Sequence, residues 1–263
     1  ATNQTGLQEF IQHAGFDPTK DVTEILAASV GNPSAPSGIL LVKGNFNLST
    51  LLASLQNEKN VTVTNYGPAT LITTGGEVKI PHGVAFLNGT IAIAGDLTSV
   101  KAAVDRSGSV NAVAPALAAQ VQTLSSTYDA WSVSIASLGA LIPGGIAGNA
   151  NTAQPLQLVK NIQSANSGVK FGANVQFAAQ AVADTPANAT SLADVIKMIA
   201  GLAAMSATSQ NSPAAPLAAV LQTVQITTDG ATVNIAATVP ETQIETILNA
   251  ANVKHAAVGA RRM

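Results

Sequence analysis

Cysteine is absent from all 263 residues. That excludes a disulfide scaffold, a Cys-ligated zinc or iron–sulfur site and a thiol nucleophile. Charge is scarce as well: 12 Lys+Arg and 14 Asp+Glu make up 10% of the chain, where about 25% is usual. Twelve basic residues, only three of them Arg, cannot neutralise a phosphate track, so nucleic acid is excluded as a partner. A formal charge of −2 steers no charged ligand from a distance. Aromatic residues are few, with one Trp, two Tyr and six Phe. No apolar run reaches membrane-spanning length, because the longest candidate, Trp131 to Gly148, is broken by Pro143 and several glycines.

What the chain does have is small and apolar. It carries 48 alanines and 21 glycines, and 47% of its residues are hydrophobic. A chain of this length buries about three-quarters of its unfolded surface, so disorder is not expected. Solubility then rests on Asn, Gln, Ser and Thr, which are spread throughout. A neutral-polar surface with few lysines points to a periplasmic or secreted protein. Ala1 either follows a removed signal peptide or marks a trimmed start. The Asn-x-Ser/Thr triplets at Asn3, Asn47, Asn60, Asn88 and Asn188 read as chance in so Asn- and Thr-rich a chain.

Local signals predict alternating strands and helices. Thr5-Gly6-Leu7-Gln8 has the capping-box form, and Asp17-Pro18 restarts a helical turn as N-cap and N1. Strands are predicted over Ile25 to Val30 and Ile39 to Gly44, followed by a helix capped by Asn47. Gly67-Pro68 turns one hairpin, Asn88-Gly89 a second and Asp229-Gly230 a third. Asp96 caps the helix after the second hairpin, and Pro115 opens another. Further on, Trp131 to Ser137 reads as a strand, Pro155 to Ala165 as a helix and Val169 to Val182 as a long strand or bent pair. Ser191 opens an amphipathic helix through Leu192, Val195, Ile196, Ile199 and Leu202, and Pro240 starts the last one.

Both halves therefore run strand, helix, strands, hairpin, helix. The fold class expected is α+β, in two similar halves, each a largely antiparallel sheet with helices packed on one face. The duplicated hairpin-plus-helix units fall at 84–105 and 224–250. The first repeat spans 1–110 and the second 125–255, packed as one globular unit, with 256–263 as a tail.

Gly15-Phe16-Asp17-Pro18, Asp21-Val22 and Glu24-Ile25-Leu26 resemble the opening of uncharacterised bacterial exported proteins, in which a helix, a Gly-Phe-Asp-Pro turn and a strand follow one another. Ala94-Gly95-Asp96 with Val100, Ala103-Val104, Asp105 and Arg106 is similar to a second element of that group. The resemblance covers roughly the first 106 residues. It implies an exported α+β protein and no activity for any residue.

Chemical constellations are scarce. His13, His82 and His255 are too scattered for a zinc site without cysteine, and Gly15 and Pro18 break the helix that would align His13 with Asp17 and Asp21. Ser167 and Lys170 match Ser-x-x-Lys, but on a strand they point to opposite faces. Asp96 and Asp229 are the carboxylates nearest to equivalent hairpins; capping and turn formation account for them. One Trp and two Tyr supply a sugar platform poorly. Trp131 reads as a core anchor and Tyr66 as turn packing. Gly139 to Gly148 lacks phosphate-loop spacing. The apolar residues around it, Leu138, Leu141, Ile142 and Ile146, form either a loop tucked over the core or a lip meeting a partner, a lipid or a second copy.

No cofactor and no metal is expected. The expected function is that of a non-enzymatic exported binding or assembly protein whose partner is a protein or a lipophilic small molecule. The alternative is a hydrolase with Asp, Ser and His drawn from separated loops.

Overall fold

In the computed structural model the described residues are 17–29, 38–56, 58, 60–74, 81–108, 113–135, 159–207 and 220–246. Contacts divide the chain into a first unit, Ala1–Asn111, and a second, Ala112–Met263. Among the described residues no helix is long and apolar enough to cross a membrane. Leu138, Leu141, Ile142 and Ile146 lie outside the described residues, as do the Thr5 capping box, His13 and His255.

The first unit begins where the Asp17 side chain accepts the Thr19 amide at 3.0 Å and starts a single turn, α1 (Pro18–Asp21). Next come β1 (Val22–Ser29), β2 (Gly38–Gly44) and α2 (Leu48–Leu55), capped by Asn47 through the Thr50 amide at 3.1 Å. A four-stranded meander follows: β3 (Val61–Tyr66), β4 (Ala69–Thr74), β5 (His82–Leu87) and β6 (Ile91–Asp96). It leads straight into α3 (Leu97–Arg106). All pairings are antiparallel, in the order β1-β2-β6-β5-β4-β3. Asn88 and Gly89 both take positive φ, 45° and 71°. This is the backbone that a two-residue turn with the native strand twist requires, and it is the reason for Asn-Gly there.

Val100 and Val104, one turn apart on α3, pack onto Ala69, Leu71, Ala85 and Ile93. Ala69 and Ala85 are small enough to let the helix approach the sheet closely. Tyr66 ties α3 to the edge strand β3. Its hydroxyl donates to Asp105 Oδ2 at 3.1 Å, and Lys101 Nζ lies 5.0 Å from its ring centroid. Its role is thus a specific contact with α3 beyond the turn packing expected.

In the second unit α4 (Pro115–Thr127) leads to β7 (Ala130–Ser134), then β8 (Ile162–Lys170) and β9 (Asn174–Ala183). After α5 (Pro186–Ala207) come β10 (Gln225–Asp229) and β11 (Thr232–Pro240), and residues 241–246 are helical. The order is β10-β11-β9-β8-β7, again antiparallel. Ala189, Leu192 and Ala193 of α5 close the core over Ile162, Ala183 and Val233.

Three expectations are corrected here, and of the long strand or bent pair expected over Val169 to Val182 the structure has the pair. The helix expected over Pro155 to Ala165 gives way to β8 from Ile162, because Ser164 and Ala165 find ladder partners in Val182 and Ala181. The stretch from Val169 to Val182 is the inner part of the β8–β9 hairpin. Helix α5 begins at Pro186, five residues before Ser191. Thr185 caps it by accepting the Asn188 amide at 3.2 Å, and its buried Ala189 is too small to register as a periodic apolar residue. In the third hairpin Asp229 pairs with Thr232, so the turn is Gly230-Ala231, with Gly230 at φ 54° in the first central position.

The two sheets share one plan in permuted order. Each has a meander (β3 to β6, β7 to β9) whose last strand pairs with the second strand of a separate hairpin (β1–β2, β10–β11). In each, the helix after the meander covers the sheet: α3 packs on β5, β6 and β2, and α5 on β10, β11 and β9. The hairpin precedes the meander in the first unit and follows it in the second.

Candidate functional site

The strands β1, β2 and β6 of the first unit end together, where Ser29 pairs with Gly38 and Ile39 with Gly95. Small side chains dominate that end. Ala27, Ala28, Ile39, Leu40 and Ala94 line an open pocket of about 470 Å³ there, with Ser29, Gly38 and Gly95. Among the described residues no titratable side chain lines it. Alanines stand at this strand end where larger side chains would fill space, whereas Gly38 and Gly95 are set by close backbone approach, since a Cβ on either would meet a backbone carbonyl. Nearby apolar groups are left in water, with Ile25 62% and Leu40 41% exposed.

Asp96 sits beside this end, at the junction of β6 and α3. Its Oδ1 accepts the Ser99 amide at 2.8 Å, and Oδ2 is shielded and makes no hydrogen bond. The Ser99 amide, helped by the Ser99 side chain and the Gly38 backbone, holds the carboxyl below its ordinary value of 3.8. His82 pairs with Asp96 across β5 and β6 and is exposed. Hydrolysis would need that carboxylate turned to the imidazole, and it is turned to the helix amides instead.

The other sequence candidates are dispersed. Asp17 caps α1, with Lys20 Nζ at 3.0 Å, and Asp229 ends β10. Ser167 and Lys170 both lie on β8, three residues apart. Ser167 Oγ is 2.7 Å from Ser132 Oγ. Trp131, expected in the core, is half-buried on β7. Among the described residues no three His, Asp or Glu side chains gather as a metal site.

A second apolar surface corrects the stripe expected on this helix: Ile199 and Leu202, expected beside Leu192 and Ile196, are 52% and 60% exposed. Met198, Leu202 and Met205 recur at i, i+4 and i+7 on α5 and are exposed, Leu202 by 60% and Met205 by 72%. At 3.6 residues per turn this stripe lies opposite the core-facing Ala189, Leu192, Ala193 and Ile196.

No family model and no curated protein matches the chain. Among solved structures, one described as crystal form I of TP0453 is similar at a TM-score of 0.46 and 11% identity, covering 94% of this chain and 88% of that one.

Proposed function

We propose that this chain is a non-catalytic exported binding protein that takes a lipophilic ligand at the strand-end pocket of its first unit. The observation that carries this reading is the pocket itself. Its volume of about 470 Å³ falls within the roughly 300–1,000 Å³ of small-molecule sites. A lining of Ala, Gly, Ile and Leu offers apolar contact and no charge. Burying apolar ligand surface there gains about 25 cal/mol per Å². Export is supported by the low lysine content and the neutral-polar composition.

Titration with a fluorescent sixteen-carbon fatty acid tests it. Saturable binding is expected, weakened about tenfold or more, ~1.4 kcal/mol, by Ala94→Phe, which fills the pocket, and by Leu40→Lys, which charges its rim. Binding that ignores both substitutions sinks the pocket as the site. The hydrolase alternative has His82 and Asp96 paired across two strands, with the carboxylate bound to the Ser99 amide and not to the imidazole. Ester or amide turnover abolished by His82→Ala would favour it over the carrier.

A further inference from the structure

We propose that the sheet face of the second unit opposite α5 binds a neutral oligosaccharide. Pairing registers put Asn166 opposite Gln180, Gln180 opposite Asn234 and Asn234 opposite Thr227, in one row across β8, β9, β11 and β10. These residues alternate with Ala165, Ala181, Val233 and Ile235, which face the α5 core, so the row lies on the other side of the sheet. The amides bond sideways: Asn166 Nδ2 donates to Gln180 Oε1 at 3.2 Å, and Gln180 Nε2 donates to Asn234 Oδ1 at 2.9 Å. That ladder fixes which end of each amide is donor and which is acceptor. By valence, donors remain on all three amides and a carbonyl oxygen remains on Asn166.

One end of the array is aromatic. In the adjacent row Trp131 pairs with Gly168, whose missing Cβ leaves the space that the Tyr128 ring occupies. Tyr128 is held from both sides. Its amide donates to the Leu124 carbonyl at 2.9 Å, the Asp129 amide to Val169 at 3.0 Å, and the Phe171 amide to the Asp129 carboxylate at 2.7 Å. The only Trp of the chain and one of its two Tyr thus lie on the face that carries the amides.

The chemistry selects the ligand class. The row from Asn166 to Thr227 and the row from Trp131 through Gly168 and Ala178 to Ala236 are uncharged, while the same face holds Asp229 on β10, two residues from Thr227, and Lys170 on β8, two residues from Gly168. Sugar hydroxyls donate and accept as the amides do, and the C–H faces of a pyranose stack on aromatic rings. Three strands at about 4.8 Å spacing make the ladder roughly 10 Å long, the length of a disaccharide. None of this depends on the first-unit pocket.

Trp131 reports directly. The full chain is titrated with N-acetylchitotriose and with cellotriose, following Trp fluorescence and heat. A saturable signal with at least one of them is expected. Gln180→Ala and Tyr128→Leu should weaken it tenfold or more with the circular dichroism spectrum unchanged, while Ala94→Phe leaves it intact. Absence of saturable heat and fluorescence change with both sugars at millimolar concentration overturns the proposal. So does binding that survives both Gln180→Ala and Asn234→Ala.

Discussion

Asp96 joins a strand to a helix in one residue: its backbone ends β6 while its side chain caps α3 through the Ser99 amide. Removing the cap exposes an unpaired helix N–H. Asp96→Ala should lower the melting temperature, while Asp96→Asn and Asp96→Ser retain most of it. The carboxyl also sets an acid limit. Asp96 and Asp17 both bind protons less readily folded than unfolded, Asp96 because of the Ser99 amide and Asp17 because of the Thr19 hydroxyl and then Lys20. The unfolded chain takes up the extra protons, so the stability these groups add is complete above their ordinary value of 3.8 and is lost as pH falls through the lower folded values. Melting curves from pH 7 to pH 2 should show the decline, and Asp96→Asn should make it shallower. Tyr66 works at the other limit. Its hydrogen bond to Asp105 raises its value above 10.0, so its contribution is complete below that and disappears as pH climbs through the folded value. A Tyr66→Phe chain should lack this alkaline component.

At the scale of elements, α3 and α5 do different work although each follows a meander. Helix α3 is ten residues long and spends Val100 and Val104 on the core, both essentially inaccessible. Val100→Ala leaves a gap against Ala85 and Ile93 and should cost about 2 kcal/mol in denaturant unfolding. Helix α5 has 22 residues, and its core-facing stripe ends near Ile196. Beyond it the outward stripe of Met198, Leu202 and Met205 adds nothing to the core of the sheet. Leu202→Gln should therefore leave the melting temperature unchanged within about a degree, since exposed substitutions change stability by less than about 0.5 kcal/mol. Light scattering of concentrated protein should fall if this stripe drives self-association; a large loss of stability instead would place Leu202 in a packed interface.

Among the described residues each unit has one sheet and its own core cluster, around Val100 and Ile93 in the first and around Leu192 and Val233 in the second. Each unit closes its sheet with its own helix, so each holds the contacts needed for cooperative folding. Chains 1–111 and 112–263, prepared separately, should each give a sigmoidal denaturation curve. A non-cooperative curve for either would mean that its core needs the other unit.

Much of this was legible in the letters because it is set by neighbours in the chain. Asn88-Gly89 demands positive φ, Asp17, Asn47 and Asp96 supply cap oxygens, and Val100 and Val104 repeat at helical spacing. Such preferences act within a few residues, so the α+β class with antiparallel hairpins and capped helices followed from sequence alone. Strand order, the permuted relation of the two sheets and the one-residue slip of the turn after Asp229 depend on which distant strand supplies the hydrogen bonds, and only the tertiary structure decided them. Asn166, Gln180 and Asn234 stand 14 and 54 residues apart and share no local pattern. The β8-β9-β11 register alone makes them neighbours, because cross-strand pairing joins side chains by position in the sheet, whatever their separation along the chain.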